Sequence, residues 1–307
     1  VVYGNANARD LLAIRDTLEK IDPLIDILKE AESRKLKEIK ERIDPLADIR
    51  DKIDSAIVDD PPTTIKEGGI INEEFDEDLD ELKRKSREGK EWINSLEKEE
   101  RERTGIERLK VGYNKVHGYY LEVSKTQTDK VPENYSRKQT LKNSERYYTP
   151  ELKEKEDEII SAEDKMEALE YEIFKGLREE VGNESERFQK TAEALAELDV
   201  LTSFAHASIR NNYNRPEVYP DDKIKIEDGR HPVVEKTIEE NFVPNDCLLD
   251  NGKNQFLIIT GPNMSGKSTY MRQTALITLL AQVGCFVPAE KSEIGVVDRI
   301  FTRVGAL

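Results

Sequence analysis

The run Gly261-Pro-Asn-Met-Ser-Gly-Lys-Ser268 places glycine, glycine, lysine and serine at the spacing G-x-x-x-x-G-K-[ST]. Glycines at the two fixed positions let the backbone curl until successive amide N–H groups face one point, and a helix starting there adds its partial positive charge. Such a loop cradles phosphate. Lys267 is expected to reach the β- and γ-phosphates and Ser268 to ligate magnesium, so ATP and Mg2+ are the expected cofactors. The candidate cofactor-binding set is Gly261, Pro262, Asn263, Met264, Ser265, Gly266, Lys267, Ser268 and Thr269. The context fits the motif. Phe256-Leu-Ile-Ile-Thr260 predicts a buried strand before the loop, and the residues from about Lys267 to Gln282 predict a helix after it.

A second group of residues offers phosphate contacts of another kind. Between Gly105 and Thr149 there are nine basic residues against five acidic ones, a surplus of four in a chain whose net charge is −16. The segment Arg137-Lys-Gln-Thr-Leu-Lys-Asn143 mixes cations with amide and hydroxyl donors, a combination that grips phosphate oxygens without reading bases. Because the chain as a whole repels nucleic acid, such binding has to be local. Hydrolysis needs an acidic strand end and a water-orienting group, usually downstream of the loop. Asp298 is the sole aspartate there, and Glu290 and Glu293 lie in a polar stretch, so no catalytic residue is assigned. His117, His206 and His231 are too dispersed for a triad or a metal site. Cys247 and Cys285 are too few for a disulfide framework, which points to a reducing compartment.

The elements that must hold these groups are read from periodicity. Leu11, Leu12, Ile14, Leu18, Ile21, Leu24, Ile25 and Leu28 follow helical spacing, with a break or kink expected at Pro23, and a second amphipathic stretch runs to about Val58. Thr63 to Gly69 predicts a short strand and turn. Leu79, Leu82, Ser86, Gly89, Ile93 and Leu96 form a heptad-like seam, repeated by Leu152, Ile159, Ala162, Met166, Leu169 and Ile173 after Pro150. Each run is about 30 residues, hence roughly 45 Å of helix. Together they predict either an antiparallel lever pair or two long bundle helices. The insert between them carries β-formers (Val111, Tyr113, Val116, Tyr119, Tyr120, Leu121, Val123) broken by Gly112 and Gly118, a hairpin signature. Another helix is expected from Glu184 to about Asn212. Beyond Arg215-Pro the texture becomes α/β, with strands expected at Ile224–Ile226, Val233–Val234 and within Ile294–Phe301. The equal 36% shares of apolar and charged residues suit long solvated helices. No apolar run reaches membrane-spanning length. Val1-Val-Tyr-Gly resembles neither a signal peptide nor an initiator, so a segment of a longer protein is expected.

Several of these runs resemble one family in the right order. Thr260-Gly-Pro-Asn-Met-Ser-Gly-Lys-Ser-Thr-Tyr-Met-Arg-Gln273 resembles the P-loop of the MutS family of DNA mismatch-repair ATPases. Gly112-Tyr-Asn-Lys-Val-His-Gly-Tyr-Tyr120, Arg137 to Asn143 and Glu151-Leu-Lys-Glu154 resemble its clamp region. Gly229-Arg-His-Pro-Val233 and Phe242-Val-Pro-Asn245 resemble the lead into its ATPase domain, and Asn7-Ala-Arg-Asp-Leu-Leu-Ala-Ile-Arg-Asp16 its core helices. The resemblance implies a multidomain α and α/β chain. Residues 1–104 would be core and ascending lever, 105–150 a β-rich basic clamp, 151–214 the descending lever and core, and 215–307 the first part of a P-loop ABC-type ATPase domain. It also implies that Phe242 stacks on adenine, and that Arg137, Lys138, Gln139, Thr140, Lys142 and Asn143 contact a double-stranded DNA backbone. Implied partners are a second copy of the chain, as a homodimer, and a downstream mismatch-repair ATPase. The implied location is cytoplasmic and nucleoid-associated.

Departures limit what is expected of this chain. Ser265 stands where members often have glycine. The family's mismatch-reading domain, with its Phe-x-Glu wedge, is expected before Val1, and its Walker B carboxylates and signature loop after Leu307. The expected behaviour is therefore weak duplex binding without mismatch preference, and little or no ATP turnover. The competing readings are an ABC-type coiled-coil ATPase of the chromosome-organising or break-repair kind, a MutS-like branch lacking the clamp, and an inert structural lever. The first normally carries its P-loop before the coil, and the β-rich basic insert argues against the second.

Overall fold

The computed structural model describes residues 1–65, 68–114, 116, 118–239, 241–262 and 265–302. Two compact units are present, Val1–Thr191 and Ala192–Leu307.

In the first unit, α1 (Ala8–Leu18) opens with a capping box. Asn7 Oδ1 accepts from Asp10 N at 3.0 Å while Asp10 Oδ2 accepts from Asn7 N at 2.8 Å. The break predicted at Pro23 falls earlier, at Glu19-Lys20. Pro23 sits in the first turn of α2 (Ile21–Lys29), where its missing N–H has no intrahelical partner to lose. The second amphipathic stretch is likewise two helices, α3 (Arg34–Arg42) and α4 (Ala47–Ala56), separated around Pro45. Asp44, in that break, accepts from Arg187 Nε at 2.7 Å; this bond holds its carboxyl below the usual range.

Of the strand and turn predicted over Thr63 to Gly69, residues 66 and 67 lie outside the described residues and the others form no strand. Residues 63 and 64 bend, and the backbone donors that follow go to a side chain instead of a neighbouring strand. Glu170 accepts from Gly69 N at 2.8 Å, Ile70 N at 2.6 Å and Ile71 N at 2.8 Å.

The two seams form α5 (Glu77–Thr104) and α6 (Pro150–Asn183), which pack on each other. Asp76 caps α5 through Leu79 N at 2.9 Å, and Gly105 ends it at φ +67°. Thr149 caps α6, with Pro150 in its first turn. Leu79, Ser86, Ile93 and Leu96 are buried, as are Leu152, Ile159 and Ala162. The helices approach closely at Gly89, where a Cβ would lie 2.5 Å from Ile159 Cγ1. Beyond Ala162 the predicted seam shifts. Glu170, Phe174, Leu177 and Val181 are buried, while Met166, Leu169 and Ile173 are only half-buried. This later part of α6 meets the N-terminal segments instead: Glu170 holds residues 69–71, and Arg178 reaches the Ala6 carbonyl at 3.4 Å.

The insert is a four-stranded antiparallel sheet in the order β1 (Lys110–Asn114), β2 (Gly118–Ser124), β4 (Ser144–Tyr148), β3 (Ser136–Thr140). Leu121, Val123, Tyr135 and Tyr147 share one core with Ile93, Leu96, Leu152 and Ile159 of the two helices. Two buried carboxylates tie sheet to helices. Tyr135 Oη donates to Glu100 at 2.6 Å, and Tyr119 N donates to Glu156 at 2.9 Å. Burial first, and the Glu100 bond second, push the Tyr135 hydroxyl well above its ordinary pKa.

The division between units falls inside α7 (Ser185–Asn211). In the second unit the sheet order is β5 (Glu217–Tyr219), β8 (Lys291–Gly295), β6 (Ile224–Gly229), β7 (Asn245–Leu249), with only the β5–β8 pair parallel. The helix α9 (Lys267–Gln282) covers it through Ile277 and Ala281, against Ile226, Cys247 and Ile294. Three strand predictions are corrected here. Val233–Val234 is a turn entering the short helix α8 (Val234–Thr237). The last strand runs earlier than Ile294–Phe301 and ends at Gly295, where the Asp221 carbonyl would be 2.1 Å from a Cβ. Phe256–Thr260 joins no ladder among the described strands, and Phe256 and Ile258 are 81% and 79% exposed. Consecutive apolar residues mark a strand buried on both faces only where neighbouring strands exist to pair with it.

Candidate functional site

The candidate phosphate loop leads into α9. Gly266, immediately before the helix, has φ +90°, a conformation that favours glycine, and a Cβ there would meet nothing within 4 Å. At Gly261 a Cβ would stand 2.9 Å from Ser265 Oγ, so the curl of the loop is closed by its own side chains. Ser265 N donates to the Pro262 carbonyl at 3.4 Å. Lys267 Nζ donates to the carbonyls of Gly261 at 2.7 Å and Pro262 at 2.6 Å, which holds its ammonium over the loop. No side chain caps the helix, so its first-turn amides face outward. Asn263 and Met264 lie outside the described residues.

Next to the loop is a cleft of about 1040 Å3. Ser265, Gly266, Lys267 and Thr269 line its polar side, and Phe242, Val243, Leu257 and Ile259 its apolar side. Phe242 is thus brought to the loop from 19 residues upstream of Gly261. Gly261, Pro262 and Ser268 do not line this cleft. The sequence reading missed Tyr270, whose ring also lines it and whose hydroxyl donates to the Asp246 carbonyl at 2.9 Å. Burial pushes that phenol well above its ordinary pKa. Its place three residues after Lys267, hence on the same helix face, was the available signal.

The segment Gly229-Arg-His-Pro-Val233 packs behind this site. A Cβ on Gly229 would lie 2.8 Å from Gln273 Nε2 of α9. Arg230 pairs with Glu235 at 2.8 Å and donates to the carbonyls of Asn211 and Asn212. His231 is buried, and its Nδ1 accepts from Val233 N at 3.3 Å and Val234 N at 3.2 Å. Burial, and then the Arg272 charge, push its pKa below the ordinary imidazole value. Protonation would remove the acceptor that two amides need. A depressed histidine pKa means the unfolded chain takes up the proton first. The stabilisation is therefore intact above about pH 6.5 and is lost as pH falls below it through the folded value. Thermal unfolding between pH 7.5 and 5.5 should show a larger loss for the unaltered chain than for His231→Asn; parallel losses would contradict this role.

Of the carboxylates after the loop, Glu293 is paired and Asp298 is exposed. Glu293 pairs with Lys223 at 2.6 Å and Lys225 at 3.7 Å, and the Lys223 bond holds its carboxyl below the usual range. Among the described residues no group of three His, Cys, Asp or Glu side chains is placed to hold a metal.

The basic sheet distributes its predicted contacts unevenly. Arg137 lies 3.2 Å from Glu145. Lys138 reaches the Tyr119 carbonyl at 3.4 Å and sits over the Tyr148 ring. Gln139 accepts from Arg146 Nη1 at 3.0 Å. Thr140, Lys142 and Asn143 are exposed around the β3–β4 turn. Lys115 and His117 lie outside the described residues.

Comparison with known proteins gives one consistent answer. Residues 74–165 match the model of MutS family domain IV, and residues 257–307 that of MutS domain V. The chain is 54% identical over 307 residues to the DNA mismatch repair protein MutS of Acetivibrio thermocellus, covering 100% of this chain and 35% of the relative. It is 51% identical over 310 residues to that of Methanosarcina barkeri, covering 100% and 34%. To that of Natronomonas pharaonis it is 56% identical over 308 residues, covering 100% and 36%. The chain thus spans about a third of the length of these curated relatives.

Proposed function

The chain belongs to the MutS family, and from that premise we propose that it is the part of a DNA mismatch-repair ATPase that holds ATP and grips the duplex backbone. The observation that carries the reading is the joining of loop and apolar wall in one cleft. Gly266, Lys267 and Phe242 line the same cleft, and Phe242 would stack on the base. The residues fit a nucleotide. The uncapped amides at the start of α9 suit phosphate oxygens, Lys267 already offers its ammonium there, and Ser268 is exposed for Mg2+. When bound, the metal would neutralise phosphate charge.

The domain assignment follows the same reading. Residues 1–104 and 151–214 are core and lever, 105–150 the clamp, and 215–307 the beginning of an ABC-type ATPase domain. In the intact protein the site would be completed by a second copy in a homodimer acting with a downstream repair ATPase, on DNA in the cytoplasm. Turnover by this chain is expected to be slow, since no described carboxylate after the loop lines the cleft. No helix among the described residues is long and apolar enough to cross a membrane.

A fluorescent ATP analogue should bind saturably and more tightly with Mg2+. In filter binding, homoduplex and mismatched duplex should be retained equally. No saturable nucleotide binding would remove the first half of the reading, and a clear mismatch preference would refute the expected non-selective grip.

A further inference from the structure

The cations of the β1–β4 sheet fall into two groups. Three of those on the strands have partners on the sheet, although Arg137 stays 62% exposed. Arg137 is 3.2 Å from Glu145, and Lys138 donates to the Tyr119 carbonyl. Arg146 bonds Glu122 at 3.0 Å and Gln139 at 3.0 Å, with its guanidinium 4.1 Å from the centre of the Tyr120 ring. Lys110 is exposed and only faces Glu122 in register, the Glu122 carboxylate being bonded to Arg146 and Ser144.

Lys125 and Lys142 differ. Both are exposed, and neither has a carboxylate partner among the described residues. They come from separate segments that the backbone joins at one end of the sheet. Leu141 N donates to the Ser144 carbonyl at 2.9 Å, closing the β3–β4 turn around Lys142-Asn143. Lys125 N, just after β2, donates to the Asn143 carbonyl at 3.1 Å. Ser124 and Ser144 are paired in register beside them. At the opposite end, Tyr119 N near the start of β2 donates to a buried carboxylate, Glu156.

Among the described residues, free ammonium groups thus stand together at the Lys125 and Lys142 end of the sheet. A cation already paired must break that pair to neutralise a phosphate, whereas a solvated lysine gains the full release of counterions from the duplex. We infer that the phosphate grip is this two-segment end, formed by Lys125 with Lys142, and that Arg137 and Lys138 serve the sheet instead. Lys125 lies outside the 137–143 run that the sequence singled out. The inference rests on the reading of the chain as a duplex binder, and sharpens which atoms do the binding.

The test is the salt dependence of homoduplex binding by the full chain. Each lost phosphate contact should lower the slope of log affinity against log salt by about 0.9. Lys125→Ala and Lys142→Ala should each show that loss, and Lys125→Glu a larger one, with melting temperature unchanged because both side chains are exposed. Arg137→Gln should leave the slope as it is. Unchanged slopes in both lysine variants beside a salt-dependent parent would overturn the inference, as would an equal loss in Arg137→Gln. If the parent itself shows no salt-dependent binding, the duplex reading fails and this inference fails with it.

Discussion

Lys267→Ala is expected to weaken binding of a fluorescent ATP analogue about a hundredfold, while leaving the melting temperature of the second unit unchanged. The ammonium donates to the carbonyls of Gly261 and Pro262, so nucleotide binding would exchange neutral acceptors for charged phosphate oxygens. Hydrogen bonds to charged groups contribute about 1.5–3 kcal/mol each. A net loss of about 3 kcal/mol corresponds to a hundredfold change in Kd. Alanine is at least as good a helix former as lysine at the first position of α9, which separates a binding loss from a folding loss. Equal affinity for the variant and the parent would show that this loop does not hold the phosphates.

Glu170→Ala should lower the unfolding free energy of the first unit by about 3 kcal/mol or more. The side chain is 2% exposed and is the acceptor for three consecutive amides, those of Gly69, Ile70 and Ile71. Each buried donor left without a partner costs about 1–3 kcal/mol. The fold around it offers no alternative through β pairing: this segment's contact with Ile57 is a single bridge at Ile71. Gly68 and Gly69, at φ +68° and +74°, let the chain bend toward the carboxylate. Urea unfolding measures the effect, and faster hydrogen exchange confined to residues 69–71 would locate it. A loss under about 1 kcal/mol would mean that water replaces the carboxylate there, since replacement by solvent removes most of the penalty.

Local signals carried the reading of this protein where function depends on neighbours in the chain. The glycine before α9 and the helix start at Lys267 could be read because glycine conformation and helix onset are settled within a few residues. The paired seams of α5 and α6 were legible for the same reason in their packed halves. The seam was misread after Ala162 because Glu170, a polar residue in the pattern, is buried by distant amides that no periodicity encodes. Phe256–Thr260 was misread in the opposite sense: its apolar run is real, but a strand is defined by its neighbours.

What the sequence determined by itself was a glycine–lysine loop at a helix start and a basic β-rich insert, because residue type and short spacing suffice to specify both. Which cations are available was decided only by the tertiary structure. Arg137, Lys138 and Arg146 look equivalent to Lys142 in a row of letters. The folded sheet puts Glu145, Tyr119 and Glu122 beside the first three, and the turn leaves Lys142 with Lys125 in solvent. Coulomb attraction acts between side chains brought together by strand pairing, over distances in space that the order of residues does not contain.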